Sequence, residues 1–192
     1  MRNVRRLAVY CGSASGSSNV FADATRATAA AMTDKGVDLV YGGGRLGLMG
    51  LIADSVLANG GQVFGVIPHA LVDLEVAHTG CTELFRVANM HERKAKMTDL
   101  ADAFLALPGG IGTLDELFEA WSWNALGYHA KPFCLLNVDG FWDGLSEFCD
   151  HARDSGFMSP QRRQQLLVAA TPDEALKLLD EAAAAATQGM VW

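Results

Sequence analysis

Ala103-Phe104-Leu105-Ala106-Leu107-Pro108-Gly109-Gly110-Ile111-Gly112-Thr113-Leu114-Asp115-Glu116 reads as a strand, a glycine turn and a helix start. It opens with a short apolar run that reads as a buried strand. Leu114, Leu117, Phe118 and Trp121 then recur at the spacing of one helical face. A glycine turn joins the two. Glycines there let the backbone take positive φ and admit a ligand at close range, while the exposed N–H groups of a first helical turn favour an anion. Glu116 sits one turn inside that helix end. A phosphate cradle with a carboxylate beside it points to chemistry on a phosphorylated small molecule. Two plainer readings use the same residues. Thr113 and Glu116 have the spacing of a capping box, worth about 1 kcal/mol to a helix, and glycines suit any tight strand-to-helix turn.

The same pattern occurs upstream. Leu7-Ala8-Val9-Tyr10-Cys11 leads through Gly12-Ser13-Ala14-Ser15-Gly16-Ser17-Ser18-Asn19 into a helical run from Phe21 to Lys35. A small polar loop at the carboxyl end of a first strand is where open α/β sheets collect ligands, although its serines equally suit a flexible turn. Gly36 stops the helix, and Val37-Asp38-Leu39-Val40-Tyr41 supplies a second strand. Gly42-Gly43-Gly44-Arg45-Leu46-Gly47-Leu48-Met49-Gly50 then enters a helix that ends near Ala58. Gly42, Gly44 and Gly47 formally satisfy G-x-G-x-x-G. The dinucleotide fingerprint is nonetheless not met, because the loop follows the second strand and the third, Val63-Phe64-Gly65-Val66-Ile67, ends in Pro68 rather than an acidic residue. Two glycine loops at successive strand ends build two walls of one nucleotide site.

From Pro68 to Gly80 the pattern loosens into a short helix and an irregular loop that covers the site. A fourth strand, Thr82-Glu83-Leu84-Phe85-Arg86-Val87, precedes a helix in which Asn89 and Glu92 form a capping pair. The apolar stripe of this helix includes Met90, Met97 and Ala101, and the positions between the methionines are Arg93 and Lys94. Two cations therefore face the covered side. An unpaired buried charge is costly, so Arg93 requires an anionic partner, whereas Lys94 fits either such a partner or a solvated position at the edge of the stripe.

A sixth strand, Pro132-Phe133-Cys134-Leu135-Leu136-Asn137-Val138, an amphipathic helix from Phe141 to Ser155, a short strand at Leu166-Leu167-Val168 and a helix from Thr171 complete the chain. The alanine run from Ala182 to Ala186 is expected to fray. Alternating strands and helices give an α/β, Rossmann-like, doubly wound and mostly parallel sheet with helices on both faces. Residues 1–192 are expected to form one nucleotide-binding domain.

Net charge is −7, from 15 basic and 22 acidic residues, with no run of five like charges, so neither nucleic acid nor an anionic membrane is an expected partner. Met1 to Arg6 resembles a signal-peptide n-region, but the apolar run after it is too short before Gly12-Ser13, and no window reaches the length of a membrane span. Cys11, Cys81, Cys134 and Cys149 form no C-x-x-C pair and read as reduced thiols of a cytoplasmic protein. His69, His78, His91, His129 and His151 show no zinc-ligand spacing, so neither a metal nor a cofactor is expected. The helix after Thr113 also carries Ala120, Trp123, Leu126 and Gly127 outside its core face. A helix apolar all round is covered all round, which predicts a homodimer through this helix, with a deep intramolecular position as the alternative.

With these residues assembled, the chain resembles the Lonely Guy (LOG) family of cytokinin-activating phosphoribohydrolases, long mislabelled as lysine decarboxylases. The resemblance rests on Tyr41-Gly42-Gly43-Gly44 through Gly50, Met90-His91-Glu92-Arg93-Lys94, Pro108 through Glu116, and Leu135-Leu136-Asn137-Val138-Asp139-Gly140, within a similarity from about residue 5 to 180. It implies hydrolysis of the N-glycosidic bond of an N6-modified adenosine 5′-monophosphate, or AMP, to free base and ribose 5-phosphate. It also implies Arg93 and Glu116 as the catalytic pair, Gly109, Gly110, Gly112 and Thr113 as the phosphate loop, and a homodimer. Gly12, Ser13, Gly43, Gly44, Met90 and Lys94 complete the expected substrate-binding set. Ile111 stands where the family commonly has an aromatic residue, and Asn89 and Arg45 where it often has smaller or acidic ones. Two rival readings remain: a non-catalytic nucleotide or cofactor carrier on the same fold, and a pyridoxal-phosphate lysine decarboxylase, which would need Lys94 or Lys96 as its Schiff base.

Overall fold

The computed structural model describes residues 3–72 and 76–188; part of the covering loop, at 73–75, lies outside the described residues. Its strands are β1 (Arg6–Tyr10), β2 (Asp38–Tyr41), β3 (Val63–Pro68), β4 (Glu83–Val87), β5 (Ala103–Ala106), β6 (Phe133–Leu136) and β7 (Leu166–Ala169). They pair in parallel in the order β4-β3-β2-β1-β5-β6-β7. The helices are α1 (Asn19–Asp34), α2 (Gly47–Ala58), α3 (Met90–Leu100), α4 (Ile111–Ala125), α5 (Asp143–Asp154), α6 (Pro160–Gln165) and α7 (Pro172–Gln188).

Alternation along the strands separates two cores. Leu7 and Val9 of β1 join Met32 of α1, Ile52 of α2 and Leu179 of α7 on one face. Ala8 and Tyr10 join Met97 of α3, Leu117 and Trp121 of α4 and Cys149 of α5 on the other. The expected Rossmann-like sheet is therefore present, and every strand pair in it is parallel. Strands β1 to β4 run outward in one direction and β5 to β7 in the other, so the carboxyl ends of β1 and β5 flank the switch point where such sheets open a crevice. The loops there are tied together through Gly12. Its N–H donates to Pro108 O at 3.1 Å, and its carbonyl accepts from the N–H groups of Leu48 at 3.0 Å and Met49 at 3.3 Å.

Local sequence sets the helix starts. Ser18 caps α1 by accepting from the Val20 N–H, and Asn89 caps α3 by accepting from the Glu92 N–H at 2.9 Å. Glu92 in return accepts from the Ala88 N–H at 2.9 Å, so the expected pair forms with its return bond one residue before the cap. The box expected at Thr113 and Glu116 does not. Gly110, in an extended conformation, is the N-cap of α4, which places Thr113 inside the first turn with its side chain buried. A glycine turn lets the chain enter the helix before any side-chain cap is reached.

Three further expectations need correction. Ala120 belongs to the core face of α4, while Phe118 is exposed, because the buried stripe follows Thr113, Leu117, Ala120 and Trp121. Met90, expected in the stripe of α3, is also exposed. The alanine run 182–186, expected to fray, is helical: α7 continues to Gln188, with Ala183 buried and alanine the best helix former. Helix α6, capped by Ser159 ahead of Pro160, escaped the periodicity analysis because it is too short to show a period.

Asn89→Ala should remove the cap of the helix that carries Arg93 and lower stability by about 1 kcal/mol in urea unfolding. An unchanged midpoint would mean that α3 is held by packing alone.

Candidate active site

Arg93 lies on the inner side of α3, and the geometry of the site follows from where its guanidinium goes. The side chain is 4% exposed; Nη2 donates to the Gly42 carbonyl at 3.0 Å and stands 4.0 Å from Glu116 Oε1, which reaches it from α4. Nη1 lies 3.7 Å from Met90 Sδ. The expected anionic partner of Arg93 is thus a carboxylate of the same chain. Gly42 makes the arrangement possible, since a Cβ there would fall 1.9 Å from Nη2.

The pair forms one wall of a cleft of about 370 Å³, lined also by Cys11, Ser13, Met49, Leu71, Met90, Gly110, Ile111, Gly112, Thr113 and Asp115. A second cavity of about 210 Å³, running past Gly12 to Phe21 and Phe141, shares Ser13 and Gly110 with it. Between them stands the N-terminus of α4. Its first intrahelical acceptor is Gly110 O, bonded by the Leu114 N–H at 3.1 Å, so the N–H groups of Ile111, Gly112 and Thr113 precede that ladder. A Cβ on Gly110 or Gly112 would meet nothing within 4 Å, so these two glycines face open space. Gly109 is different in kind: a Cβ there would fall 2.1 Å from Thr113 Oγ1, so this glycine lets the turn pack onto the helix. Backbone donors at a helix N-terminus beside open glycines constitute an anion cradle.

The structure brings most of the expected residues together but divides their work. Gly12 acts as the tie between loops. Gly43, with φ of +79°, gives its carbonyl to the His78 N–H at 2.8 Å, and Gly44 bridges Ala77; both hold the covering loop rather than line the cleft. Leu71, upstream in that loop, does line it. Lys94 does not reach the cleft; its ammonium is bound by Asp115 and Glu119 of α4. Sequence reasoning missed Gly42, Cys11, Met49 and Leu71. Gly42 was legible as the first glycine after a buried strand, whereas nothing in the pattern marks Leu71.

The surroundings of Cys11 disfavour the thiolate that a nucleophile needs. Burial, and next the charge of Glu116, push its thiol and the Tyr10 hydroxyl upward, so both stay protonated at neutral pH. Among the described residues no cluster of His, Cys, Asp and Glu is arranged to hold a metal. Nor does either candidate Schiff-base lysine line the cleft, since Lys96 stacks over Phe85 with Nζ 4.5 Å from the ring centre. Just past the end of α4, Leu126 is 68% and Tyr128 74% exposed, so among the described residues these two side chains stay largely uncovered.

A family model described as possible lysine decarboxylase matches residues 49–179. The chain is similar to cytokinin riboside 5′-monophosphate phosphoribohydrolase LOG2 of Arabidopsis thaliana, 46% identical over 177 residues, which are 92% of this chain and 83% of that relative. It is equally similar to cytokinin riboside 5′-monophosphate phosphoribohydrolase LOG of Oryza sativa subsp. japonica, 46% identical over 188 residues, 98% of this chain and 78% of that one. Among solved structures, a molybdenum cofactor binding protein from the phototrophic bacterium Rippkaea orientalis superposes with a TM-score of 0.67 over 92% of this chain and 95% of that chain. At 19% identity, that likeness concerns the fold alone.

Gly42→Ala should expel the guanidinium from its seat and cost about 1–3 kcal/mol in urea unfolding. Gly112→Ala, whose added methyl meets open space, should be neutral or stabilising in the same measurement.

Proposed function

This chain belongs to the LOG family, and from that premise we propose that it hydrolyses the N-glycosidic bond of N6-modified adenosine 5′-monophosphates, AMP among them. The observation that carries the proposal is the placement of Glu116: a carboxylate 13% exposed, 4.0 Å from a buried guanidinium, one helical turn beyond an open anion cradle.

In this reading the 5′-phosphate sits on the N–H groups of Ile111, Gly112 and Thr113, with Ser13 on the facing loop, and contributes positioning rather than chemistry. The bond from C1′ to the base nitrogen breaks with its electron pair leaving on the base. Positive charge grows on the ribose, and Glu116 stabilises it or takes a proton from the attacking water. Water supplies hydroxide to C1′ and a proton to the departing base, so the products are free base and ribose 5-phosphate. Arg93 orients Glu116 from beneath; held between Gly42 O and Glu116, it is not placed to be the main phosphate ligand. Met90, Ile111 and Leu71 supply apolar surface at the rim. The step is a hydrolysis and needs no redox cofactor.

The uncovered end of α4 supports a homodimer, with a second copy seated over Leu126 and Tyr128. We place the enzyme in the cytoplasm, on the strength of its four unpaired cysteines.

Purified protein assayed against AMP, isopentenyl-AMP and the matching nucleosides should release free base only from the monophosphates. Comparable cleavage of the nucleosides would sink the phosphate cradle. Glu116→Gln should fold normally yet lose turnover by roughly 10²-fold or more; near-normal turnover by the folded variant removes Glu116 from the mechanism. Leu126→Glu is expected to convert the protein to monomers in light scattering, and a persistent dimer would assign the interface elsewhere.

A further inference from the structure

Two consecutive cations on α3 meet three carboxylates on α4. Asp115, Glu116 and Glu119 lie within five residues of one another, and Glu119 is one turn beyond Glu116 on the same side of the helix. A guanidinium at the position of Arg93 therefore has more than one carboxylate within a small helical rotation. The structure shows the partners sorted. Arg93 faces Glu116, while Lys94 binds Glu119 and, at 3.1 Å, Asp115. Lys94 and Glu119 are both largely buried, with side chains 14% and 16% exposed, so this is not a solvated surface pair.

We propose that Lys94 is a positioning residue: by holding Glu119 and Asp115 it fixes the rotation of α4 against α3 and reserves Arg93 for Glu116. The inference rests on the reading of Arg93 and Glu116 as the reacting pair, and it reassigns Lys94 from substrate binding to the assembly of that pair. Three physical points support it. Lys94 is absent from the cleft lining, and its ammonium is engaged by the α4 carboxylates Asp115 and Glu119. An uncompensated Glu119 would compete for the guanidinium, because a partly buried carboxylate without a partner is costly. A misplacement of Glu116 by about 1 Å is enough to cost on the order of 10²-fold in rate.

The predicted signature is a loss in kcat without a matching change in KM, since the phosphate cradle is untouched. Lys94→Met should lower kcat for isopentenyl-AMP by roughly 10- to 100-fold while KM stays within about threefold. The decisive test is charge exchange. Lys94→Glu and Glu119→Lys should each be impaired alone, and the double variant should recover at least about tenfold in kcat over either one, as coupled sites do.

Circular dichroism and thermal midpoints of each protein, with Lys94→Gln as the gentler variant, separate misfolding from misplacement. Three outcomes overturn the proposal: a raised KM with unchanged kcat in Lys94→Met or Lys94→Gln, which would make Lys94 a phosphate ligand; kcat unchanged in both; or a folded double variant no better than the singles. Glu116→Gln in the same assay keeps the two readings apart. If that variant turns over normally, the proposed mechanism fails; if it is inactive and charge exchange restores nothing, only the role of Lys94 fails.

Discussion

A guanidinium held away from water is the constraint on which the rest of the site depends. Burying an ion costs several kcal/mol even after relaxation, and an attraction in a low-dielectric setting offsets that cost only when the geometry is good. Arg93 meets the condition with partners that include one carbonyl and one carboxylate from two other segments. Gly42 must lack a side chain, α3 must be rotated so that Met97 enters the core, and α4 must begin early enough to bring Glu116 round. These requirements come from residues 42, 93, 97 and 116, so no one of the three segments can satisfy Arg93 by itself. The interaction is therefore a property of the completed fold.

The sheet topology supplies the place. Because the chain winds outward from β1 in one direction and from β5 in the other, the loops at their carboxyl ends are adjacent without being covered by a crossover. Gly12 closes the gap with backbone bonds to both neighbouring loops and presents no side chain of its own. The glycines of this region do three separate things. Gly12 and Gly109 permit close packing, Gly42 and Gly43 admit a guanidinium and a covering loop, and Gly110 with Gly112 leaves room. Only the last pair faces open space that a ligand would fill.

Much of this was legible in the sequence. Buried parallel strands announce themselves as short apolar runs, which made the inner strands legible, while the edge strand β4, with Glu83 and Arg86, was legible from its place between turns. Arg93 was legible because a cation inside an apolar stripe demands a partner, and the structure supplies Glu116. Lys94 shares that signal but not its outcome: one residue of helical rotation, about 100°, carries it to a different set of carboxylates. Spacing also left a cap at Thr113 open as an alternative, since a capping pattern cannot tell whether a preceding glycine has already started the helix. Leu71 and the contacts of the loop around His78 were invisible, because they depend on a segment without periodicity folding back onto Gly43 and Gly44.

One helix carries both ends of the proposed chemistry, and this is what makes the geometry exacting. The anion cradle is formed by residues 111–113 of α4 and the carboxylate by residue 116, so their separation along the axis is set by helical rise, about 6 Å over four residues. That is the scale of a ribose, the group that separates a 5′-phosphate from the anomeric carbon. In the proposed reading, a substrate bound by its phosphate at the helix end has its reacting carbon within the span between the cradle and Glu116. The backbone span is then fixed by the helix itself, while the carboxylate is placed by the Glu116 rotamer and by rotation of α4 about its axis. Under the proposal for Lys94, the ionic links to α3 restrain that rotation. The buried pair and the glycine turn are in this sense two halves of one ruler, and a change that shifts the start of α4 would disturb catalysis as surely as a change at Glu116.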